Sequence, residues 1–214
     1  MNRRQFINGI SSGIVSLSLA GCGFKLPGSS NGSSAGVQKK DIPATTITGN
    51  IAQAQKNKVL IAYFSRTGNT REIANQIHEI IDSDLFEIKT EASYPKDYDA
   101  TVDQAKREQA ENFRPKLATV VPALSSYTGI FLGYPNWWQT MPMALFSFLE
   151  EYDFSDKTII PFCTHDGGRL GRSTNDIRVL CPRATILDGL SIRGSNAKNA
   201  RNDVSAWLRP IEIK

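Results

Sequence analysis

Val59-Leu60-Ile61-Ala62-Tyr63-Phe64-Ser65-Arg66-Thr67-Gly68-Asn69-Thr70 is the stretch on which the fold turns. Six apolar residues in a row suit a strand buried on both faces. Beyond Thr70, the residues Ile73, Ala74, Ile77, Ile80 and Ile81 share one helical face, and the spacing predicts a helix over 69–81. The loop between strand and helix holds three hydroxyls, a Gly and an Asn. Such a loop is a phosphate cradle: the first-turn N–H groups have no intrahelical partner, and the helix dipole favours negative charge there. Ser65, Thr67 and Thr70 add small hydrogen-bonding groups, and Gly68 lets the backbone approach a ligand closely. A lone Ser65 or Asn69 would read as an ordinary N-cap, but so dense a set of hydroxyls after a buried strand favours an anion site. The loop lacks the Gly-Lys-Ser/Thr ending of a Walker A sequence and is not a GxGxxG fingerprint.

Outward from this stretch the pattern alternates strand and helix. Strands are expected at 58–64, 84–90, 129–134, 158–163 and 184–192. Helices are expected at 69–81, 97–111, 142–151, 173–180 and 196–208. Short apolar strands separated by helices imply an α/β fold, a doubly wound parallel sheet covered on both faces. Pro161 is a mild objection to a central place for the fourth strand, because it cannot donate to a ladder. On such sheets ligands sit at the carboxyl ends of the strands. The loops after the first, third and fourth strands, 65–70, 134–141 and 164–172, should therefore converge.

Each loop has its own chemistry. Pro135-Asn136-Trp137-Trp138 places two indoles side by side, and on a strand successive side chains point to opposite faces, so one Trp should face the cleft and stack on a planar ring. Trp137 is slightly favoured. The third loop, Thr164-His165-Asp166-Gly167-Gly168-Arg169-Leu170-Gly171-Arg172, is Gly-rich and can wrap a polar ring edge with backbone groups. His165 either faces water or donates a hydrogen bond to that edge; His78 reads as a surface residue. Cys163 and Arg169 match the Cys-x5-Arg spacing of thiol phosphatases, but Leu170 stands where a hydroxyl residue belongs. Cys163 and Cys181 fall at opposite ends of a strand–helix unit, which argues against a disulfide. Two His without paired Cys suggest no metal site, and no hydrolase triad is evident.

Taken together, Ser65-Arg66-Thr67-Gly68-Asn69-Thr70, Gly133-Tyr134-Pro135-Asn136-Trp137-Trp138 and Thr164-His165 with its Gly-rich tail resemble the flavodoxin family over about 58–210. They look closest to a flavodoxin-like subgroup found among bacterial exported lipoproteins. The resemblance implies a five-stranded sheet of order 2-1-3-4-5 with FMN at its carboxyl edge. It also implies the short-chain type, since no long insertion separates the last strand from the last helix. On this basis Ser65, Thr67, Thr70 and the N–H groups near Gly68 and Asn69 hold the FMN phosphate. Pro135, Asn136 and Trp137 or Trp138 border the isoalloxazine, and Thr164, His165, Gly167 and Gly168 meet its pyrimidine side. Arg66 departs from the usual uncharged loop: it either neutralises phosphate charge or points to water.

The 214 residues carry a net charge of +4, but the charge is unevenly placed. Through Asn57, six Lys and Arg stand against Asp41 alone, a net of +5, which leaves −1 from Lys58 onward. A near-neutral domain has no electrostatic footprint for nucleic acid. The basic end reads as a leader. Arg3-Arg4-Gln5-Phe6-Ile7 resembles a twin-arginine signal, and Leu19-Ala20-Gly21-Cys22 resembles a lipobox with lipidation at Cys22. Residues 23–57, Gly/Ser-rich and then polar, read as a tether, and 58–214 as the FMN domain. The expectation is an exported, membrane-tethered protein passing electrons to a redox partner protein or a small acceptor. An FMN-dependent NAD(P)H:quinone or nitroaromatic reductase, and a non-redox phospholigand-binding module, stay open as alternatives.

Overall fold

The computed structural model describes residues 58–213; the expected leader 1–22 with Cys22, the expected tether 23–57 and Lys214 lie outside them. The first strand, β1 (Val59–Tyr63), is buried at every position, as its unbroken apolar run requires. It lies between β2 (Asp84–Glu87) and β3 (Gly129–Pro135), parallel to both. The next strand, β4 (Thr158–His165), follows beyond β3, and the far edge is formed by β5 (Thr185–Ile186) and β6 (Leu190–Arg193). The strand order is the expected 2-1-3-4-5, with the fifth strand in two pieces.

The break explains how Pro161 sits in a central strand. Thr158 and Ile159 pair with Thr185 and Ile186, whereas Phe162 pairs with Leu190. Three residues, Leu187 to Gly189, therefore stand opposite Ile160 and Pro161 alone. The Ile159 carbonyl accepts from the Leu187 N–H, so odd-numbered residues of β4 direct their backbone groups toward β5 and β6. Pro161 has that parity and no N–H to give. The bulge falls where the donor is missing, and Gly189 fits there because a Cβ would lie 3.0 Å from the Pro161 carbonyl oxygen.

Alternation along β1 builds two cores. Val59, Ile61 and Tyr63 pack with Ile73, Ala74 and Ile77 of α1 (Asn69–His78) and with Val204 and Leu208 of the last helix, Arg201–Leu208. Leu60, Ala62 and Phe64 pack on the other face with Ala144, Leu145 and Phe148 of the helix Met143–Glu151 and with Ile177 of the helix Ser173–Leu180. The second helix is Tyr98–Ala110, which makes it α2 and the later three α3, α4 and α5. Three boundaries fall short of expectation. The closing helix, expected over 196–208, is a tighter 3-10 helix over Gly194–Asn199 and α-helical only from Arg201. The first helix stops at His78, where the Ile80 and Ile81 N–H groups both turn back onto the Ile77 carbonyl so that the chain can enter β2. The second strand stops at Glu87, and Thr90 pairs antiparallel with Leu117.

Candidate functional site

The carboxyl ends of β1, β3, β4 and β6 open on one cleft of about 290 Å³. Arg66, Thr67, Asn69, Thr70, Pro135, Asn136, Trp137, Thr164, His165 and Asp166 line it, so the three loops converge as the sheet topology demands. At the floor of the first loop Gly68 takes φ +93°, and a Cβ there would meet nothing within 4 Å. Its Gly is thus required by backbone conformation, not by crowding. Ser65 Oγ accepts from the N–H groups of Gly68 and Arg71, both at 3.2 Å. No hydrogen bond leads from the Asn69 or Thr70 N–H to another described residue, and the Thr67 side chain is exposed. The start of α1 therefore presents free donors and its dipole to the cleft, which suits a phosphate.

Two members of the loop are engaged elsewhere. Thr70 and Thr164 share a hydrogen bond of 2.8 Å between their hydroxyls, and both residues are buried. They latch the phosphate loop to β4. Arg66 lines the cleft, but its guanidinium is committed to backbone carbonyls beyond the loop. Its Nη2 donates to the carbonyls of Lys96 at 2.7 Å and Asp97 at 3.1 Å, and its Nε to Pro95 at 3.4 Å. It ties the loop to the entry of α2.

The two Trp part company. The turn at 137–140 is closed by mutual backbone hydrogen bonds between Trp137 and Thr140, with Trp138 at φ +51° and Gln139 at φ +67°. Two central residues with positive φ make a type I′ turn, so the indoles diverge because the chain reverses there, not because a strand alternates. Trp137 packs edge-on against Phe64 and Tyr94, with centroids 5.6 and 5.1 Å apart. Tyr94 is held in turn by donating to Glu108 Oε2 at 2.7 Å, while Gln104 Nε2 donates to Oε1. Trp138 swings onto α2, its Nε1 donating to the Val102 carbonyl at 3.2 Å and its ring under Lys106. It does not line the cleft.

The Gly-rich loop packs on this turn. Asn136 Nδ2 donates to the Arg169 carbonyl at 2.7 Å, and Asn136 Oδ1 accepts from the Gln139 N–H. Gly168 and Gly171 both face the turn, and Arg172 N donates to the Gln139 carbonyl at 2.7 Å. His165 Nδ1 accepts from the Gly167 N–H at 2.9 Å. That bond assigns the proton to Nε2 and leaves an N–H donor on the ring. Burial first, then Arg193 and Arg169, push the His165 pKa below its ordinary 6.5, against a smaller opposing pull from Asp166. The unfolded chain therefore takes up this proton at higher pH than the folded one. The stability due to neutral His165 is full above about 6.5 and falls as the pH drops from there toward the lowered value. A ¹H–¹⁵N titration of the His165 ring should give a midpoint below 6.5, with the Gly167 amide shifting in step; a midpoint above it would contradict the influence of partial burial and the two Arg.

Cys163 is buried, its Sγ donating to the Arg169 carbonyl at 3.2 Å, and burial pushes its thiol up to about 12. A buried thiol held in this way stays protonated at neutral pH and is a poor nucleophile, which argues against the phosphatase reading of Cys163. Cys181 is likewise a buried free thiol. Among the described residues no three His, Cys, Asp or Glu are gathered as for a metal. Sequence reasoning missed Tyr98, Gly194 and Ser195, which also line the cleft. Gly194 follows β6 and lets Asn69 approach, since a Cβ would lie 2.7 Å from Asn69 Nδ2. Extending the strand-end rule to the last strand would have found it.

Comparison with known proteins follows the same lines. None of the curated proteins matches the chain in sequence. A candidate flavoprotein from Bacteroides eggerthii is 26% identical, with a TM-score of 0.66 over 74% of this chain and 100% of its own. A second, from Bacteroides uniformis, is 28% identical with a TM-score of 0.65 over 72% and 98%. A flavoprotein from Lactobacillus acidophilus, solved in complex with FMN, shares the fold at 22% identity, with a TM-score of 0.56 over 67% and 98%. The flavodoxin family matches over residues 58–211, which takes in every described strand and helix, and the chain belongs to that family.

Proposed function

We propose that the chain binds FMN and carries electrons outside the cytoplasm, exported by the twin-arginine route and held at a membrane by lipid on Cys22. One observation carries the cofactor reading: free N–H donors at the start of α1, the Trp137 wall and Thr164, His165 and Asp166 at the end of β4 converge on one cleft, with Gly167 tied to it through its N–H bond to His165. The Asn69 and Thr70 N–H groups and the Ser65 and Thr67 hydroxyls would hold the phosphate. Asn136 and Trp137 would border the isoalloxazine, and Thr164, His165, Gly167 and Gly168 its pyrimidine edge. Bound FMN supplies the one- and two-electron chemistry. The chain orients the ring, and neutral His165 offers it a hydrogen bond from Nε2 without adding a full charge. The FMN complex of the Lactobacillus acidophilus protein, which shares the fold, supports the choice of ligand.

The test is the absorbance of the purified protein, followed by titration of apoprotein with FMN and with riboflavin. A yellow protein that prefers FMN by about 10²-fold or more is expected, because riboflavin lacks the group the cradle is built for. Equal affinity for both would remove the phosphate role of the first loop. Export is tested separately. FMN is a cytoplasmic molecule, and a route that carries folded proteins allows loading before export. Replacing Arg3 and Arg4 by Lys should leave the protein inside the cell, and Cys22→Ser should release it from the membrane fraction. Normal export of the Lys pair would refute the dependence on this signal.

A further inference from the structure

Beside the cleft, a second hollow of about 280 Å³ lies between α2 and the Trp turn, lined by Thr101, Val102, Ala105 and Trp138 and joined to the cleft at Arg66, Tyr98, Asn136 and Trp137. We propose that this hollow binds a second flat arene bearing carbonyl or nitro oxygens, of the naphthoquinone class, edge to edge with the ligand of the main cleft. The inference deepens the redox reading of the same site by naming the class of small acceptor.

Three observations carry it. First, the walls are large, exposed rings: Tyr98 is 69% and Trp138 45% exposed, and among the described residues neither has an aromatic partner, although Lys106 lies over the Trp138 ring. Exposed rings facing a shared hollow are the surface on which a flat π-system gains most from burial. Secondly, the hollow is built, not incidental. Trp138 is locked at φ +51° and tied to the Val102 carbonyl, while Arg66 ties the start of α2 to the phosphate loop. A strained residue held by a hydrogen bond on its own ring is a wall fixed in place. Thirdly, the charge suits an electron-poor, oxygen-bearing ring. No carboxylate lines the hollow, Arg66 borders it, and Lys106 stands 5.4 Å from the Trp138 ring centre. Acceptor oxygens on the ligand would meet cations rather than acids.

The experiment uses the protein as purified and 1,4-naphthoquinone as the probe, with binding read by calorimetry and by Trp quenching. Val102→Phe fills the hollow from α2 without touching the main cleft. It should weaken naphthoquinone binding about tenfold or more, while flavin content and the circular dichroism spectrum stay unchanged. Trp138→Ala, which removes the opposite wall, should weaken it as well. Equal binding by the parent and Val102→Phe would overturn the proposal. So would loss of flavin in Val102→Phe, which would place the flavin ring itself in the hollow. A protein that rejects FMN yet binds naphthoquinone in a Val102-dependent way would sink the FMN reading and leave this one standing.

Discussion

Gly171→Ala is expected to lower the melting temperature by about 5–15 °C and to weaken FMN binding with it. At this position a Cβ would lie 2.2 Å from the carbonyl oxygen of Gln139, and φ is +54°. Both partners are backbone, so no side chain can swing away. The strained conformation costs about 1–2 kcal/mol for Ala. Overpacking adds about 1–3 kcal/mol, and in a domain of this size each kcal/mol moves the midpoint by about 2–4 °C. If the loop instead retreats, it gives up the Arg172 N–H bond to Gln139 and pulls Arg169 from Asn136, and the two walls of the cleft part. Gly168→Ala is the control three residues away. The nearest atoms to its Cβ would be side-chain ones, Asn136 Nδ2 at 3.0 Å and Gln139 Nε2 at 3.3 Å, which can give by a few tenths of an ångström more readily than backbone. Thermal unfolding of both variants checks the contrast in stability, and FMN titration is read for Gly171→Ala. A Gly171→Ala midpoint matching that of Gly168→Ala would show that the turn gives way at little cost.

Thr70→Val should destabilise the domain by about 1–3 kcal/mol, because Val copies the shape of Thr and strands the Thr164 hydroxyl in the core. Thr164→Val should do the same from the other side. In the double variant both hydroxyls are gone and no buried group is orphaned, so much of the loss should be recovered. The cycle also decides what Thr70 does. If it is a latch, as its 1% exposure and 2.8 Å bond to Thr164 indicate, FMN affinity follows stability and returns in the double variant. If its hydroxyl holds the phosphate, affinity stays low in Thr70→Val with or without the second change. Denaturant unfolding with FMN fluorescence titration reads both quantities on the same samples.

Much of the fold was legible because its signals are local. The run from Val59 to Phe64 forms β1, Asp97 caps α2 by accepting from the Ala100 N–H, and Gly68 opens α1 at positive φ. Their physics lies within a few residues of chain. The convergence of loops 65–70, 134–141 and 164–172 followed from parallel topology alone, since every strand of such a sheet ends at the same edge. Pro161 shows where local reasoning stops. It weighs against a central strand until the neighbouring strand is seen to bulge at the register where the donor is missing.

From sequence alone came the alternation of strands and helices, the edge at which the site lies, and the expectation of a phosphate cradle at Ser65–Thr70, because buried periodicity and helix-terminus chemistry are properties of short segments; the strand order came from the resemblance to the flavodoxin family. Tertiary structure alone decided what the loop residues touch. The Arg66 carbonyl partners lie 29 to 31 residues away and the Thr70 partner 94 away. Trp137 and Trp138 were separated by a type I′ turn made of residues that do not advertise one. Side-chain partners across such distances are chosen by the packing of whole elements, and no spacing in the chain encodes them.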